Sequence, residues 1–334
     1  MIEQEKEYND PTYFKWILIV VLIVILILVF IYNVVNANED KVLFHPCRRM
    51  VWRPKVDYNS VYLNVNDRSD VCYEGYKERK QREKKTGEEY IHGWHFKNYP
   101  NAKTIMFAHG NNKNLSYRQY IIDICTKFKL NLFLFDYRGY GKSSGFPHKY
   151  FLREDGEIAY EYLHYHCRIP HEKILVWGES LGGITAVWTA SKYKCGGLIL
   201  FSCFSSLDDA LTYRFKGGSR TAVRWLTNLL ACKLDVIPVK EYLYKVRCPV
   251  AIVHSTEDEM LPFACSWINY HSIQHSNRMH LKIKGKHAGP HITSNQFRKI
   301  FNFFDLSLSN LSSDVDISEI VEDLKTVGEK INNM

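Results

Sequence analysis

The positions of the apolar residues divide the chain into contrasting parts. An uninterrupted apolar run, WILIVVLIVILILVFIY, covers residues 16–32 without a charged side chain. From about residue 41 to 305, short apolar runs alternate with segments whose apolar positions recur every three or four residues. The first pattern is typical of a membrane-spanning helix, and the second of strands that alternate with helices. The sequence therefore predicts an N-terminal span followed by an α/β domain.

The short apolar runs predict the strands of that domain. They are 61–65, 90–96, 103–108, 130–135, 174–177, 198–202, 249–254 and 280–283. Helical periodicity marks residues 117–127 and 155–166 between them. This alternation predicts a mostly parallel central sheet covered by helices on both faces. Because such sheets carry their sites at the carboxyl ends of the strands, the residues that follow each strand are the candidates for chemistry.

Some segments depart from this alternation. Residues 74–89 are dense in Lys, Arg and Glu, which predicts a solvated loop or a surface hairpin. Residues 204–247 form an insertion between two predicted strands, with apolar groups among basic ones. The last segment, 311–334, keeps apolar residues at helical spacing, which predicts an amphipathic helix that docks on the domain or on a partner.

Two interpretations fit the apolar run: a retained anchor over residues 14–35, or a cleaved signal peptide. Val35-Asn36-Ala37 offers a small-residue cleavage site, but the polar segment 1–13 is acidic and the run is longer than a usual signal core. We therefore predict a single-span anchor. Lys and Arg are more numerous just after the span than before it, which favours a cytosolic location for the domain that follows.

Composition narrows the functional classes. A hydrophobic content of 46% in 334 residues is enough for a large core. The formal charge of +8 is spread along the chain and favours a nearby anionic surface, such as a lipid bilayer, over nucleic acid. The nine cysteines lie mostly in apolar runs, which predicts reduced core thiols, and no pair has zinc-site spacing. No metal or cofactor is predicted.

The segment Gly178-Glu179-Ser180-Leu181-Gly182 lies between a predicted strand and a predicted helix. In that context G-x-S-x-G predicts a nucleophile elbow, a strained turn that exposes the serine hydroxyl. A Cβ on either glycine would collide with the neighbouring helix or strand. The N–H of Leu181, at a helix N-terminus, would face a developing oxyanion. The alternative is a glycine-rich turn that happens to hold a serine.

A second loop, His109-Gly110-Asn111-Asn112, follows the third predicted strand. The backbone N–H of Asn111, or alternatively that of Asn112, would supply a second oxyanion donor opposite Leu181. Gly110 would let the backbone approach an acyl group closely, and His109 is interpreted as structural. The competing interpretation is an ordinary turn, since this residue combination is common in turns.

An acid and a base follow later strands. Asp258 comes after the strand at 249–254, and His287 follows the last predicted strand in a glycine-containing loop. A carboxylate on the far side of a histidine fixes its tautomer and stabilises the imidazolium. The order Ser, Asp, His along the chain is the one that a hydrolase of this architecture requires. The less favoured neighbours are Glu257, Glu259, His280 and His291.

Five motifs in order carry a resemblance to a known family. They are FAHGNN (107–112), FDYRGYGKSSG (135–145), GESLGG (178–183), HSTEDEMLP (254–262) and KGKHAG (284–289). Over about residues 41–305 the chain resembles the α/β-hydrolase superfamily. More narrowly, it resembles the α/β-hydrolase-domain proteins that carry an N-terminal membrane anchor and the HGN and DYRGYG motifs.

The resemblance implies an α/β-hydrolase fold and a catalytic triad of Ser180, Asp258 and His287. It implies Leu181 and Asn111 as the oxyanion donors. Asp136 and Arg138 would support their loop rather than catalyse, and the insertion 204–247 would be a small cap that selects the substrate.

The function implied is a membrane-anchored serine hydrolase that cleaves acyl esters or thioesters in lipids or acylated proteins. A basic, aromatic cap beside a membrane anchor suits an acyl substrate near anionic headgroups. Two alternatives remain open: a serine peptidase of the same fold, and a membrane-tethered binding protein on an inactive hydrolase fold.

Overall fold

The structure, a computed structural model, describes residues 14–23, 26, 40–41, 43–73, 76–206, 209–210, 213, 221, 238–287 and 289–306. Its strands are β1 (His45–Pro46), β2 (Asn59–Asn64), β3 (Val71–Cys72), β4 (Tyr90–Phe96), β5 (Thr104–Ala108), β6 (Asn112–Lys113), β7 (Asn131–Asp136), β8 (Ile174–Glu179), β9 (Gly197–Phe201), β10 (Val250–Ser255), β11 (Arg278–Lys286) and β12 (Gly289–His291). Its domain helices are α1 (Tyr76–Thr86), α2 (Gln119–Lys127), α3 (Phe151–Glu161), α4 (Gly182–Lys192), α5 (Val239–Leu243), α6 (Phe263–Ser272) and α7 (Ser294–Phe303). A π turn at Tyr162–His166 extends α3, and 3₁₀ turns lie at Leu115–Tyr117 and His171–Lys173.

One large sheet forms the centre of the domain. Its strand order is β12-β11-β10-β9-β8-β5-β7-β4-β2-β3. The strands from β11 to β7 in this order run parallel, and the pairs at both edges are antiparallel. The short strands β1 and β6 form a separate parallel pair. The mostly parallel sheet predicted from the apolar runs is therefore confirmed.

The direction in which strands are added reverses at β5. After β5 the chain adds β7 on one side, and then crosses over to add β8 on the other side. Loops that leave two neighbouring strands in opposite directions open a crevice at the carboxyl ends. His109 begins the loop after β5, and Ser180 begins the turn after β8. The fold thus places the two predicted oxyanion segments at this crevice.

Alternate residues of the central strands enter two separate cores. In β8, Ile174 and Val176 belong to one core, and Leu175 and Trp177 belong to the other. Helices α3 to α6 cover the first core, whereas α2 and α7 cover the second. Because parallel strands bury both faces, they show continuous apolar runs in the sequence. Each fully buried Ile or Leu side chain stabilises the fold by about 1.5–3 kcal/mol.

The cysteines lie mainly in these cores. No disulfide joins any two of the eight that fall within the described ranges, and Cys232 lies outside those ranges. Burial raises the pKa of the Cys125 and Cys203 thiols, so both stay protonated at neutral pH. They pack as small apolar side chains.

Every predicted strand overlaps an observed one, but the shortest strands have no counterpart in the prediction. β1, β3, β6 and β12 contain only two or three residues each. Strands of that length are formed by backbone pairing with a neighbour and are too short to show a periodic pattern.

The prediction for residues 74–89 is wrong. Their charge density predicts a loop or a hairpin, but the structure contains helix α1 there. Arg79 contacts Glu83, one turn further on, at 3.0 Å. The Arg79 side chain is fully buried, with its guanidinium 4.9 Å from the ring centre of Tyr62 and 5.4 Å from that of Tyr90. Because a buried cation rather than an apolar face attaches this helix, no hydrophobic period marks it.

Several predicted segments lie wholly or partly outside the described residues. Residues 14–23 are helical, but no helix among the described residues is long and apolar enough to cross a bilayer. Most of the insertion 204–247 and all of segments 1–13 and 311–334 lie outside the described ranges. The anchor, the cap and the C-terminal helix therefore stay predictions.

Replacing Arg79 with alanine should lower the free energy of unfolding by about 2–3 kcal/mol, because it removes a buried cation from between two aromatic rings. Urea-induced unfolding followed by tryptophan fluorescence measures the change. Lys84→Ala, at an exposed position of the same helix, is the matched control and should stay within about 0.5 kcal/mol of the parent. An Arg79→Ala protein as stable as this control would contradict the anchoring role.

Candidate active site

Ser180 lies in a strained turn between β8 and α4. Its φ of 52° falls in the left-handed region, which residues with a side chain rarely adopt. Its N–H donates to the carbonyl of Phe201 at 3.0 Å, which attaches the turn to β9. A Cβ on Gly178 would stand 2.6 Å from the carbonyl oxygen of Gly182, and one on Gly182 would overlap the carbonyl of Ala108. Both positions therefore need glycine, as the motif predicts.

Hydrogen bonds join three side chains from different loops. His287 Nε2 lies 3.0 Å from Ser180 Oγ, and His287 Nδ1 lies 2.7 Å from Asp258 Oδ2. Ser180 follows β8, Asp258 follows β10 and His287 follows β11, so all three stand at the carboxyl edge of the sheet. The structure thus brings together the serine, the acid and the base selected from the sequence. An imidazole so placed can accept the hydroxyl proton while the carboxylate fixes its tautomer.

Asp258 is buried and surrounded by donors. Its Oδ1 accepts the backbone N–H of Met260 at 2.9 Å and that of Leu261 at 2.7 Å. Nε2 of His254 stands 3.5 Å from its Oδ2. Burial raises the pKa of Asp258, but the hydrogen bond and charge of His287 outweigh that effect, and the net pKa lies below its usual value. The carboxylate is therefore ionised at neutral pH.

The neighbouring acids hold the loop of His287 by its backbone. Glu257 accepts a backbone N–H of β11 at 2.9 Å, and Glu259 accepts the backbone N–H of His287 at 2.9 Å. The contact with the imidazole Nδ1 belongs to Asp258. The other candidate histidines stay within the sheet, as His280 in β11 and His291 in β12.

The surroundings of His287 make it a stronger base than a free histidine. Burial lowers the pKa of His287, whereas the hydrogen bond and charge of Asp258, followed by the charges of Glu179 and Glu259, raise it. The net shift is upward from the ordinary value of 6.5. A ring with this pKa is well matched to taking a proton near neutral pH.

The two predicted oxyanion donors belong to segments next to Ser180. Leu181 stands at the start of α4, and Asn111 lies in the loop after β5. Within the described part of the chain, neither N–H donates a hydrogen bond. A Cβ on Gly110 would come within 3.5 Å of the Cβ of Ser180, so this glycine keeps the gap between the two segments open. Backbone N–H groups that have no other acceptor are available to an oxyanion.

Hydrogen bonds from His45, Tyr140 and Arg118 hold the loop that carries Asn111. Its carbonyl accepts the N–H of His45 at 3.1 Å and the hydroxyl of Tyr140 at 2.6 Å. Arg118 donates to the carbonyl of Asn112 at 2.7 Å. Since β1 pairs with β6, the segment that precedes the large sheet helps to fix this loop.

Contacts of His109 and Asp136 also support the loop that carries Asn111. The buried His109 contacts the carbonyl of the next residue through Nδ1 at 2.7 Å and Asp136 Oδ1 through Nε2 at 3.3 Å. Asp136 Oδ1 also accepts the backbone N–H of Leu115 at 2.7 Å. Arg138 contacts Asp155 of α3 at 2.7 Å. These contacts agree with the supporting roles expected for the three residues.

Two features of the site have no signal in the sequence. The pairing of β1 with β6 involves two residues on each side, which is too few for a pattern. Tyr120 of α2 donates its hydroxyl to Glu179 Oε2, next to the nucleophile. In the sequence Glu179 is only the variable position of G-x-S-x-G, and Tyr120 belongs to no motif.

The site is rich in carboxylates and histidines, which are also common metal ligands. In the ranges that the structure describes, no group of three or more His, Cys, Asp or Glu side chains is arranged to hold a metal ion.

Comparisons with known proteins find similarity to a hydrolase family model. A family model described as "Serine aminopeptidase, S33" matches residues 99–238. That range contains Asn111 and Ser180 but ends before Asp258 and His287.

Curated relatives match about half of the chain. It is 33% identical over 162 residues to alpha/beta hydrolase domain-containing protein 17C of Xenopus tropicalis, which is 48% of each chain. It is 34% identical over 167 residues to protein 17B of this series from Homo sapiens, which is 49% of this chain and 54% of that protein. It is 32% identical over 167 residues to protein aho-3 of Caenorhabditis elegans, covering 49% of this chain and 46% of that protein. The chain spans about half the length of the curated relatives it matches.

Solved structures match at the level of the fold. Esterase Pf2001 of Pyrococcus furiosus gives a TM-score of 0.56 at 19% identity, over 80% of this chain and 98% of that one. Acetyl xylan esterase 1 of Thermoanaerobacterium gives 0.50 at 14% identity, over 66% of this chain and 80% of that one. At these identities the match establishes the α/β-hydrolase fold, which was the fold expected from the sequence.

The pKa of His287 should lie above 6.5 and should fall when Asp258 is replaced by asparagine, because the replacement removes the charge that stabilises the imidazolium. Titration of the histidine ring carbons by NMR in isotope-labelled protein measures both values. Glu257→Gln is the matched control, since that carboxylate contacts only the loop backbone, and it should leave the pKa of His287 above that of Asp258→Asn. Equal values in Asp258→Asn and in the parent would contradict the assignment of the acid.

Proposed function

We infer that the chain belongs to the α/β-hydrolase superfamily, and from that premise we propose that it hydrolyses acyl esters or thioesters with Ser180 as nucleophile. His287 is the general base and Asp258 its orienting acid. The observation that carries the proposal is the run of hydrogen bonds from Ser180 through His287 to Asp258, at 3.0 and 2.7 Å, beside a serine in a strained turn.

The proposed reaction has two stages. In the first, His287 Nε2 takes the proton of Ser180 while Oγ attacks the acyl carbonyl carbon, and the same proton then passes to the departing alkoxide or thiolate. In the second, His287 activates a water that attacks the acyl-enzyme and releases the free acid. Asp258 stabilises the imidazolium in both stages and stays ionised.

Charge develops on the carbonyl oxygen in each tetrahedral intermediate. The N–H groups of Leu181 and Asn111 are the proposed donors. Support comes from the nearness of their segments to Ser180 and from the absence of another acceptor for either N–H in the described residues. Losing one donor of this kind typically lowers turnover by about a hundredfold to a thousandfold.

A substrate at a membrane surface is proposed from the N-terminal part of the chain. The apolar run 16–32 has the length and the aromatic ends of a single-span anchor. Only nine residues lie between Val35 and His45, and the N–H of His45 donates to the loop that carries Asn111. The ten Cα-to-Cα steps from Val35 to His45 span at most about 35 Å when extended, so an anchored chain would hold its site close to the bilayer. Acyl lipids and acylated proteins are the substrates available there, and the cytosolic side is the one that the distribution of Lys and Arg favours.

Peptide hydrolysis is the second candidate, and the description of the matching family model as a serine aminopeptidase favours it. The same triad serves both reactions, since each passes through an acyl-enzyme. Comparing p-nitrophenyl butyrate with aminoacyl p-nitroanilides separates them: the first proposal expects the ester to be cleaved with the higher kcat/KM, and the reverse order would favour the peptidase.

Ser180→Ala should abolish covalent labelling by a fluorophosphonate probe and should reduce ester hydrolysis to a residual level, about a thousandfold above the uncatalysed rate. Asn111→Pro should lower kcat by about a hundredfold or more, because proline removes the N–H donor. Asn111→Ala is its matched control: it keeps the N–H and should be mild. Competitive labelling and initial-rate kinetics on the full chain measure all three.

Two outcomes would contradict this proposal. Labelling that persists in Ser180→Ala would place the nucleophile elsewhere. A parent protein that neither labels nor hydrolyses any ester would favour the membrane-tethered binding protein without catalysis.

The full chain should stay in the membrane pellet after extraction with alkaline carbonate, because an apolar run of this length does not leave a bilayer when ionic contacts are removed. Immunoblotting of the pellet and the supernatant measures the partition. Replacing Ile23 and Ile25 with lysine should release the protein, since charged side chains near the centre of a span oppose insertion. A parent protein that appears in the supernatant with its N-terminal sequence intact would rule the anchor out.

A further inference from the structure

A carboxylate beside the nucleophile has no part in the proposed mechanism. Glu179 is the last residue of β8 and directly precedes Ser180. Its Oε2 accepts the hydroxyl of Tyr120. The ring of Tyr120 packs edge-on against Phe107 of β5, with 6.2 Å between ring centres. The contact therefore fixes the carboxylate instead of leaving it to turn freely into solvent.

The other oxygen of Glu179 faces the oxyanion loop. A Cβ built on Gly110 would stand 3.7 Å from Glu179 Oε1 and 3.5 Å from the Cβ of Ser180. Both atoms thus lie within 4 Å of one point beside the nucleophile. Within the described residues, no hydrogen bond reaches Oε1. The negative charge of Glu179 also contributes to raising the pKa of His287, which agrees with its place at the site.

Such a charge has an electrostatic consequence for any substrate. A carboxylate next to Ser180 would repel an oxyanion held by the N–H groups of Leu181 and Asn111. Burial, followed by the charge of Glu179, raises the pKa of Tyr120, so the tyrosine stays a neutral donor and does not cancel the charge. A positive group on the substrate would cancel it and would bind to Oε1 at the same time.

We propose that Glu179 is a binding subsite for a cationic group, an ammonium that the substrate carries a few atoms from its scissile carbonyl. The inference rests on the proposed hydrolysis of acyl bonds and names a substrate class for it. Two sources share this chemistry: an ammonium on the leaving alcohol or thiol, and an ammonium on the acyl chain.

Two pairs of thioesters distinguish the sources. Butyrylthiocholine and S-(3,3-dimethylbutyl) thiobutyrate differ only by a nitrogen-to-carbon exchange in the leaving group. The ethyl thioesters of 4-(trimethylammonio)butyrate and of 5,5-dimethylhexanoate differ in the same way in the acyl chain. For each pair the measured quantity is the ratio of kcat/KM, cationic over neutral, for the full chain in detergent micelles. The ratio isolates charge, because the two members have the same shape.

Glu179→Gln should lower that ratio by about tenfold to a hundredfold in at least one pair, the range expected for unit charges about 6 Å apart with partial solvent screening. Glu179→Met, which keeps the length of the side chain without charge, should do the same. Glu172→Gln, the same substitution before the opposite end of β8 where the side chain is 65% exposed, is the matched control and should leave the ratio unchanged.

The subsite and the hydrolysis can fail separately. Ratios that stay within about twofold of the parent in both pairs, in a protein that hydrolyses the thioesters, overturn the subsite and keep the proposed function. If the parent hydrolyses none of the four compounds, calorimetric binding to Ser180→Ala with and without Glu179→Gln decides. A preference for the cationic member that depends on Glu179 then keeps the subsite and overturns the hydrolysis, and no such preference overturns both.

Discussion

The close approach of helix α4 to strand β5 is the constraint on which the site depends. Gly182, in the first turn of α4, faces the carbonyl of Ala108 at the end of β5 so closely that a single added carbon would overlap it. This contact sets where the helix starts, and the helix start sets the left-handed turn of Ser180. The same approach brings the start of α4 next to the loop that follows β5. A larger residue at 182 would therefore shift the proposed nucleophile and the proposed oxyanion donors together.

The reversal of strand order at β5 explains why residues so distant in sequence meet. Ser180, Asp258 and His287 each follow a different parallel strand, and a common carboxyl edge leaves them within hydrogen-bond distance once the loops are fixed. The loops are fixed by backbone contacts: Glu257 and Glu259 hold the turn of His287, and β1 holds the turn of Asn111. Within residues 257–259, Asp258 thus contacts the imidazole, whereas Glu257 and Glu259 hold the backbone that carries it.

The sequence predicts the parts of this arrangement that depend on a repeating pattern or on steric necessity. Buried parallel strands show unbroken apolar runs, so the sheet is predictable, and two glycines around a serine are required by the elbow, so its place is predictable. Helix α1 is not, because it is attached by Arg79 between two rings and no periodicity records a single buried cation. The pairing of Tyr120 with Glu179 is not predictable either, since it joins α2 to β8 through one hydrogen bond between side chains 59 residues apart. Contacts of that kind depend on the packing of finished elements, which local sequence does not encode.

Charge enters the proposed function in two ways: through the net charge of the whole chain and through the carboxylates near His287. The net charge of +8 is spread along the chain and favours an anionic surface as a whole, an attraction that falls off over about 8 Å in physiological salt. At the crevice the nearby charges are negative instead of positive: Asp258, Glu179 and Glu259 all lie close enough to His287 to raise its pKa. In the proposed reaction these carboxylates stabilise the imidazolium and repel the oxyanion, and the two proposed N–H donors stabilise the oxyanion. A substrate cation near the carbonyl would offset this repulsion of the oxyanion where it is strongest. The positive net charge of the chain would then favour an anionic surface, and the carboxylates of the site would favour an acyl substrate that carries a positive group.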